Sequence, residues 1–234
     1  MLLPIKKYIL KRISQKVLKI KPLNGRLPDL SLCANEEFNY LNLKCPSRVT
    51  SIYERVTLFN LSSLTKGDVI EIGSGIGGSS ICLAAGLMPG TKRRLHTIDI
   101  FEGEKGSKTT TAPDIYKEHS QYDLFKIQIK SANVEERIKI YRGSSRDYFS
   151  ELGKLKDVEL IFIDGSHLYE DAKFDIENYH KILQPGGYYV IHDYNLPLDN
   201  KWAGVRKATD DFLKNNPSFR AKYVLDSMLV IQKQ

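Results

Sequence analysis

The chain has 234 residues, 41% of them hydrophobic and 27% charged, which suits one domain with appendages and a core that needs no disulfide or metal staples. Its formal charge of +7 is not spread as a nucleic-acid track: eight of the 35 basic residues and no acidic residue fall in 1–28, leaving 27 basic against 28 acidic beyond. Cys33, Cys45 and Cys82 are odd in number and lack Cys-x-x-Cys spacing, which argues against a disulfide framework and fits reduced thiols in a cytoplasmic protein without membrane spans.

Within residues 1–21, Ile5, Ile9, Ile13 and Val17 recur at helical spacing, joined by Leu10, Leu18 and Ile20, while Lys6, Lys7, Lys11, Arg12, Lys16 and Lys19 take the other faces. The pattern predicts a basic amphipathic helix. Charges interrupt every apolar run, so a secretory signal is not expected. Such a helix can lie on an anionic membrane surface, as a peripheral contact at the inner face, or hold an acidic partner. It can equally cap the domain or pack in a homo-oligomer, and the lack of a Trp or Phe anchor in the segment favours that reading. No aromatic platform for single-stranded nucleic acid accompanies the lysines.

Residues 22–46 read as an irregular connection, so 1–45 form the appendage and 46–234 the domain. A helix is expected over 47–63, followed by strand 69–72, helix 79–87 and strand 95–100. The polar loop 101–113 carries Gly103, Gly106 and a threonine run, long enough for a lid. Then come a helical stretch 114–131, strand 138–142, helix 146–152, strand 158–163, helix 169–183, strand 188–192 and helix 204–215. Apolar runs at 220–225 and 228–232, separated by Asp226-Ser227, read as an antiparallel pair. Seven strands alternating with helices imply an α/β, doubly wound, mostly parallel sheet covered on both faces, with ligands at the carboxyl ends of its strands.

Val69-Ile-Glu-Ile-Gly-Ser-Gly-Ile-Gly-Gly-Ser79 is an apolar strand that breaks into glycines before an apolar, small-residue helix. Gly73, Gly75 and Gly78 permit left-handed turns and close approach to a ligand, and the helix start offers unpaired N–H groups. The spacing fits a dinucleotide turn as well as an S-adenosylmethionine site. Glu71, two residues before Gly73, suits a cationic or hydroxyl-bearing ligand better than a pyrophosphate. Asp99, ending the next strand, is placed to accept from a ribose diol in either case.

A second constellation follows. Leu160-Ile-Phe-Ile-Asp-Gly-Ser-His167 delivers Asp164 and His167 to one rim of the sheet, and Tyr188-Tyr-Val-Ile-His-Asp-Tyr194 delivers His192 and Asp193. Acids at the ends of neighbouring strands can share a divalent cation. Carboxylates suit magnesium or manganese, and His192 as a ligand tilts the site toward a transition metal. His167, with an ordinary pKa near ~6.5, can take a proton at neutral pH. Tyr116, His119 and Tyr122 are candidates for an acceptor pocket or for a packed aromatic face.

Glu71-Ile-Gly-Ser-Gly-x-Gly-Gly, Asp99, Ile163-Asp-Gly-Ser-His-x-Tyr-Glu170, Leu183-x-Pro-Gly-Gly187 and His192-Asp-Tyr194 occur in the order seen in class I S-adenosylmethionine-dependent methyltransferases. Over residues 46–234, including Thr50-Ser-Ile-Tyr-Glu-Arg55, the chain most resembles the metal-dependent O-methyltransferases related to macrocin O-methyltransferase, cephalosporin hydroxylase-like proteins and catechol O-methyltransferase. The resemblance implies a Rossmann-like sheet with an antiparallel C-terminal strand. It implies that Glu71, Gly73, Ser74, Gly75 and Gly78 shape the cofactor pocket, with Asp164 at its edge, that Asp99 binds ribose and that Ser145 contacts adenine. It further implies a metal, magnesium or manganese, at Asp164, His192 and Asp193, with His167 where the catechol branch has a lysine base. The macrocin-like branch usually has two acids where this chain has His192-Asp193, and an acid where it has Ser166. The expected acceptor is a sugar, a glycosylated metabolite or another small vicinal diol. A nicotinamide-dependent oxidoreductase on the same glycine turn, a nucleic-acid methyltransferase and a catalytically idle cofactor-binding protein are the alternatives.

Overall fold

The computed structural model describes residues 21–22, 50–87, 90–102, 119–197 and 202–234. Residues 1–20 of the expected amphipathic helix, nearly all of the 22–46 connection, residues 103–113 of the loop, and Tyr116 lie outside them. The described elements run β1 (Lys21–Pro22), α1 (Ile52–Leu64), β2 (Asp68–Ile72), α2 (Gly78–Gly86), β3 (Leu95–Asp99), α3 (Gln121–Ser131), β4 (Ile138–Arg142), α4 (Ser145–Leu152), β5 (Val158–Ile163), α5 (Tyr169–Tyr179), β6 (Leu183–Ile191), α6 (Ala203–Asn215), β7 (Phe219–Leu225) and β8 (Met228–Lys233).

One sheet is formed, in the order β1-β7-β8-β6-β5-β2-β3-β4. β4, β3, β2, β5 and β6 are mutually parallel, and β8 and β7 close the other side antiparallel. The seven expected strands are all present. The sheet also has an eighth, because Lys21–Pro22 pairs antiparallel with Val224 and Tyr223 of β7, where the last residue of the amphipathic helix and the first of an irregular connection were expected. A two-residue strand carries no periodicity to read, but it satisfies part of an otherwise open edge.

The strands bury both faces, as parallel strands under crossover helices must. In β5, Leu160 and Phe162 join the cluster built on Leu58 of α1, Ile81 of α2 and Phe125 of α3. Ile161 and Ile163 point the other way, into a cluster with Ile176 of α5, Tyr189 of β6 and Phe212 of α6. This alternation is the two-residue period of a strand expressed as two cores.

Two boundaries differ from expectation. α5 stops at Tyr179, not at 183, because Leu183 already pairs with Val158. β6 therefore runs through Pro185-Gly-Gly187, with Gly186 at φ +80° and a register shift before Leu160 pairs with Tyr188. The helix expected over 114–131 is described from Gln121, where Ser120 accepts the Asp123 N–H as its cap.

Candidate active site

β2 lies between β3 and β5, where the chain order along the sheet reverses and carboxyl-end loops diverge to leave a crevice. The glycine turn emerges there. Gly73, Gly75 and Gly77 all have positive φ, at +85°, +53° and +97°. A Cβ on Gly73 would lie 2.0 Å from the Asp164 carbonyl oxygen, so only glycine lets the turn pass the end of β5. Gly77 is the residue before α2, and Gly78 opens the helix with its N–H groups toward the same rim.

Asp99 secures this turn. Its Oδ2 accepts from the backbone N–H of Ser74 and of Gly75, both at 2.8 Å, and its Oδ1 accepts from Phe101 at 2.6 Å. Glu71 lies below, fully buried, where its carboxyl group accepts from Ser79 Oγ (2.5 Å), Ser80 Oγ (2.5 Å) and Thr97 Oγ1 (2.7 Å). Burial pushes Glu71 up to about 7, against the lowering effect of these hydroxyls and with a smaller push from Asp164. Glu71 thus braces the turn from beneath. Ser74 Oγ is buried in the turn without a hydrogen-bond partner among the described residues, as expected of a group that meets a polar ligand.

Ser145 opens α4 behind a capping box formed by Ser144 and Asp147. Its hydroxyl donates to Asp175 Oδ1 at 2.5 Å, and its carbonyl accepts from Tyr179 at 2.7 Å. Ser166 donates to Asp171 Oδ2 at 2.9 Å. Tyr122 packs edge-on against Phe101, and Lys126 and Arg142 lie over its ring, which is the packed-face alternative for this residue.

At the ends of β5 and β6 the four expected polar residues meet. His192 Nδ1 lies 3.0 Å from Asp164 Oδ1 and 3.3 Å from Asp193 Oδ1, and His167 Nε2 lies 2.8 Å from Asp193 Oδ2. Asp164, His167 and Asp193 each offer a ligand-capable atom, all within 4.8 Å of one another. His192 approaches the same carboxylates from the floor, with its side chain only 2% exposed, and His167 from the more open side at 17%. Asp193 has φ +55°, a left-handed conformation rarely adopted by a side chain that does not gain from it.

Two residues that were not singled out in the sequence complete the surroundings. Glu54 of α1, buried at the helix start, has Oε2 3.5 Å from His192 Nε2. The Ser51-x-x-Glu54 capping-box spacing was a readable sign of its position, though not of this contact. Trp202 stacks on His167, with ring centroids 4.7 Å apart at 26°. Gly204 lets α6 press on the same loop, since a Cβ there would lie 2.7 Å from the His167 carbonyl oxygen.

Electrostatics follow from this packing. Burial acts to raise Asp193, but bonds from His167 and His192 outweigh it and hold the carboxyl well below its usual range. Burial likewise opposes ionisation of Glu54, and His192, Ser51 and Ser227 bring it below its ordinary value. Asp164 is raised, chiefly by burial, despite its attraction to His192. For His192, burial is outweighed by Asp164, Asp193 and Glu54, which hold it well above 6.5. Asp164, His167 and Asp193 thus form a donor set able to accept a cation, with the raised His192 and its partner Glu54 packed against them.

Solved structures share the fold. An O-methyltransferase from Bacillus cereus in complex with SAH superposes with a TM-score of 0.63 at 17% identity, covering 97% of each chain. The O-methyltransferase TomG from Streptomyces achromogenes, in complex with SAM, gives 0.61 at 18% identity over 97% of this chain and 96% of that one. The chain therefore shares its fold with these two O-methyltransferases. A curated relative, the 8-demethyl-8-(2,3-dimethoxy-alpha-L-rhamnosyl)-tetracenomycin-C 4'-O-methyltransferase of Streptomyces olivaceus, is 30% identical over 144 residues. That alignment takes in 56% of this chain and 54% of the relative, so the chain spans about half the length of the curated protein it matches. The family described as methyltransferase domain matches residues 70–194, more than half of the chain, from within β2 to the end of the His192-Asp-Tyr194 motif. The protein belongs to that methyltransferase family.

Proposed function

We propose that the protein transfers a methyl group from S-adenosylmethionine to a hydroxyl oxygen of a sugar, a glycosylated metabolite or another small vicinal diol, with help from a divalent metal. The observation that carries this reading is the backbone contact between Gly73 and Asp164, which sets the glycine turn directly beside the carboxylate–imidazole cluster. A methyl donor and an acceptor oxygen held by those two features would be neighbours, as in-line displacement requires.

Gly73, Ser74, Gly75 and Gly78 line the cofactor side, with Asp99 fixing the turn and offering its carboxylate to ribose, Glu71 bracing from below and Ser145 at the adenine end. S-adenosylmethionine would supply an electrophilic methyl carbon on sulfur. Asp164 and Asp193 would hold the metal, joined by His192 once its ring gives up a proton, and His167 is placed to accept the acceptor's proton. The metal, when bound, would orient two vicinal oxygens and lower a hydroxyl pKa. Asp193 keeps His167 oriented through the 2.8 Å contact, and Trp202 covers one face of the imidazole. The donor set fits manganese or magnesium, with nitrogen favouring the former.

Support for a sugar acceptor comes from the curated relative, whose named substrate carries a rhamnosyl group. Assaying O-methylation of rhamnosides and other sugar diols with labelled cofactor tests this directly. Transfer to catechols alone would keep the methyltransferase and reject the sugar. No described helix is long and apolar enough to cross a membrane. For residues 1–21 the lack of a Trp or Phe anchor favours capping of the domain or packing in a homo-oligomer over peripheral membrane contact; liposome binding lost on their deletion would favour the membrane instead.

A further inference from the structure

Resting on the cofactor reading above, with Ser145 at the adenine end, we propose that Asp175 is a positioning residue that takes the hydroxyl proton of Ser145, so that Ser145 turns only lone pairs toward the base. The site then selects a purine with an amino group at C6, which donates, over one with an oxygen at C6, which accepts.

Each hydroxyl proton around Asp175 has a place to go. Asp175 lies in the second half of α5, is only 3% exposed, and has Oδ1 2.5 Å from Ser145 Oγ. The phenols beside it are engaged elsewhere: Tyr179 donates to the Ser145 carbonyl at 2.7 Å, and Tyr189 donates to the carbonyls of Asp175 and Ile176 at 3.1 and 3.0 Å. Arg146, the cation whose charge reaches Asp175, is paired with Asp171 at 3.2 Å and lies over the Phe174 ring. Ser145 is therefore the side-chain donor to the Asp175 carboxylate among the described residues. A serine hydroxyl has one proton, and once Asp175 takes it Ser145 can only accept.

Stability does not account for the pair. Burying a carboxyl group away from a counter-ion is unfavourable, and one hydroxyl bond offsets only part of that. Burial pushes Asp175 up to about 7, against the lowering effects of Ser145 and Arg146 and with a smaller push from Asp171. A leucine in its place would extend the adjoining core of Ile176, Tyr179 and Tyr189. The position of the pair supplies the reason for a polar group. A Cβ on Gly165 would lie 3.2 Å from Ile72 Cγ2 and 3.5 Å from Asp175 Oδ2, so the carboxyl group sits against the loop that leaves β5, one residue after Asp164 and on the same rim as the glycine turn. Above about pH 7 the carboxylate takes the proton of Ser145. Below it the carboxyl group carries a proton of its own, and Ser145 is released to donate.

The test is isothermal titration of the full chain at about pH 8 with S-adenosylhomocysteine and with S-inosylhomocysteine, which has oxygen in place of the C6 amino group, for wild type, Asp175→Leu and Ser145→Ala. Wild type is expected to bind the adenosyl compound at least about tenfold tighter than the inosyl one. Asp175→Leu frees the Ser145 proton to meet the C6 oxygen, and the ratio of the two affinities should shrink at least about fivefold; Ser145→Ala should shrink it as well. A merely structural role for Asp175 would weaken both ligands alike, so a wild-type ratio in Asp175→Leu would overturn the inference. An unchanged ratio in Ser145→Ala would also overturn it and leave the cofactor site standing. Absence of S-adenosylhomocysteine binding to wild type would overturn the cofactor reading and this inference with it. Should Asp175→Leu fail to fold, the wild-type ratio at about pH 6 and about pH 8 decides: a smaller ratio at the lower pH supports the proposal, and an equal one rejects it. Glu71 titrates in the same range, but beneath the turn that both ligands share, so its effect cancels in the ratio.

Discussion

Gly73 and Asp164 meet through their backbones: the Asp164 N–H donates to Ile72 at 2.8 Å, and a Cβ on Gly73 would lie 2.0 Å from the Asp164 carbonyl oxygen. The turn that reads as cofactor-binding and the acid that reads as metal-binding are thus one rigid unit at the point where the strand order reverses. Gly73→Ala should force the two apart. Gly75 also has positive φ, but a Cβ there meets nothing closer than Gln121 Nε2 at 3.9 Å. Gly75→Ala should therefore cost about 1–2 kcal/mol of backbone strain alone, and Gly73→Ala at least twice that. Denaturant unfolding of both variants checks the order, and equal losses would contradict it.

Asp99→Ala leaves the N–H groups of Ser74 and Gly75 without their acceptor. Affinity for S-adenosylhomocysteine should fall at least about tenfold, the scale of losing charge-assisted bonds, with the overall fold retained. Asp164→Ala should do the converse, abolishing transfer while the protein stays folded. Paired calorimetry and activity assays separate the two, and full activity in Asp164→Ala would reject the role given to that residue.

Much of this was legible because periodicity and turn chemistry are local. The seven main strands, the glycine turn and the meeting of Asp164, His167, His192 and Asp193 follow from apolar runs that end in polar residues on parallel strands. The end of α5 at Tyr179 was not legible, since it is set by pairing of Leu183 with Val158 across the sheet. Glu54 and Ser227 were missed for a related reason. Their spacing of 173 positions along the chain places them together only once β8 lies beside β6. Trp202 gave no signal, because stacking on His167 depends on where α6 begins.

Folding stability should carry a pH slope from Glu71. Its folded pKa is raised from 4.5 to about 7, so between those values the folded protein keeps a proton that the unfolded chain has released. The stabilisation is complete below 4.5 and is lost as pH rises through about 7. Comparing denaturant midpoints of wild type and Glu71→Gln from about pH 5 to about pH 8 should show wild type losing stability relative to the variant. A constant difference would contradict the buried-carboxyl assignment.

Trp202 is the sole tryptophan of the chain and stacks on His167, so its fluorescence reports on the site. Adding Mn2+ to the full chain should change the emission, and the response should disappear in Asp164→Ala. An identical response in both proteins would place the ion elsewhere.

The most direct test of the central claim is isothermal titration of the purified protein with S-adenosylhomocysteine and with NAD, each with and without Mn2+ or Mg2+. The account predicts binding of S-adenosylhomocysteine and no heat from NAD. Binding of NAD instead, or of neither ligand, would contradict it.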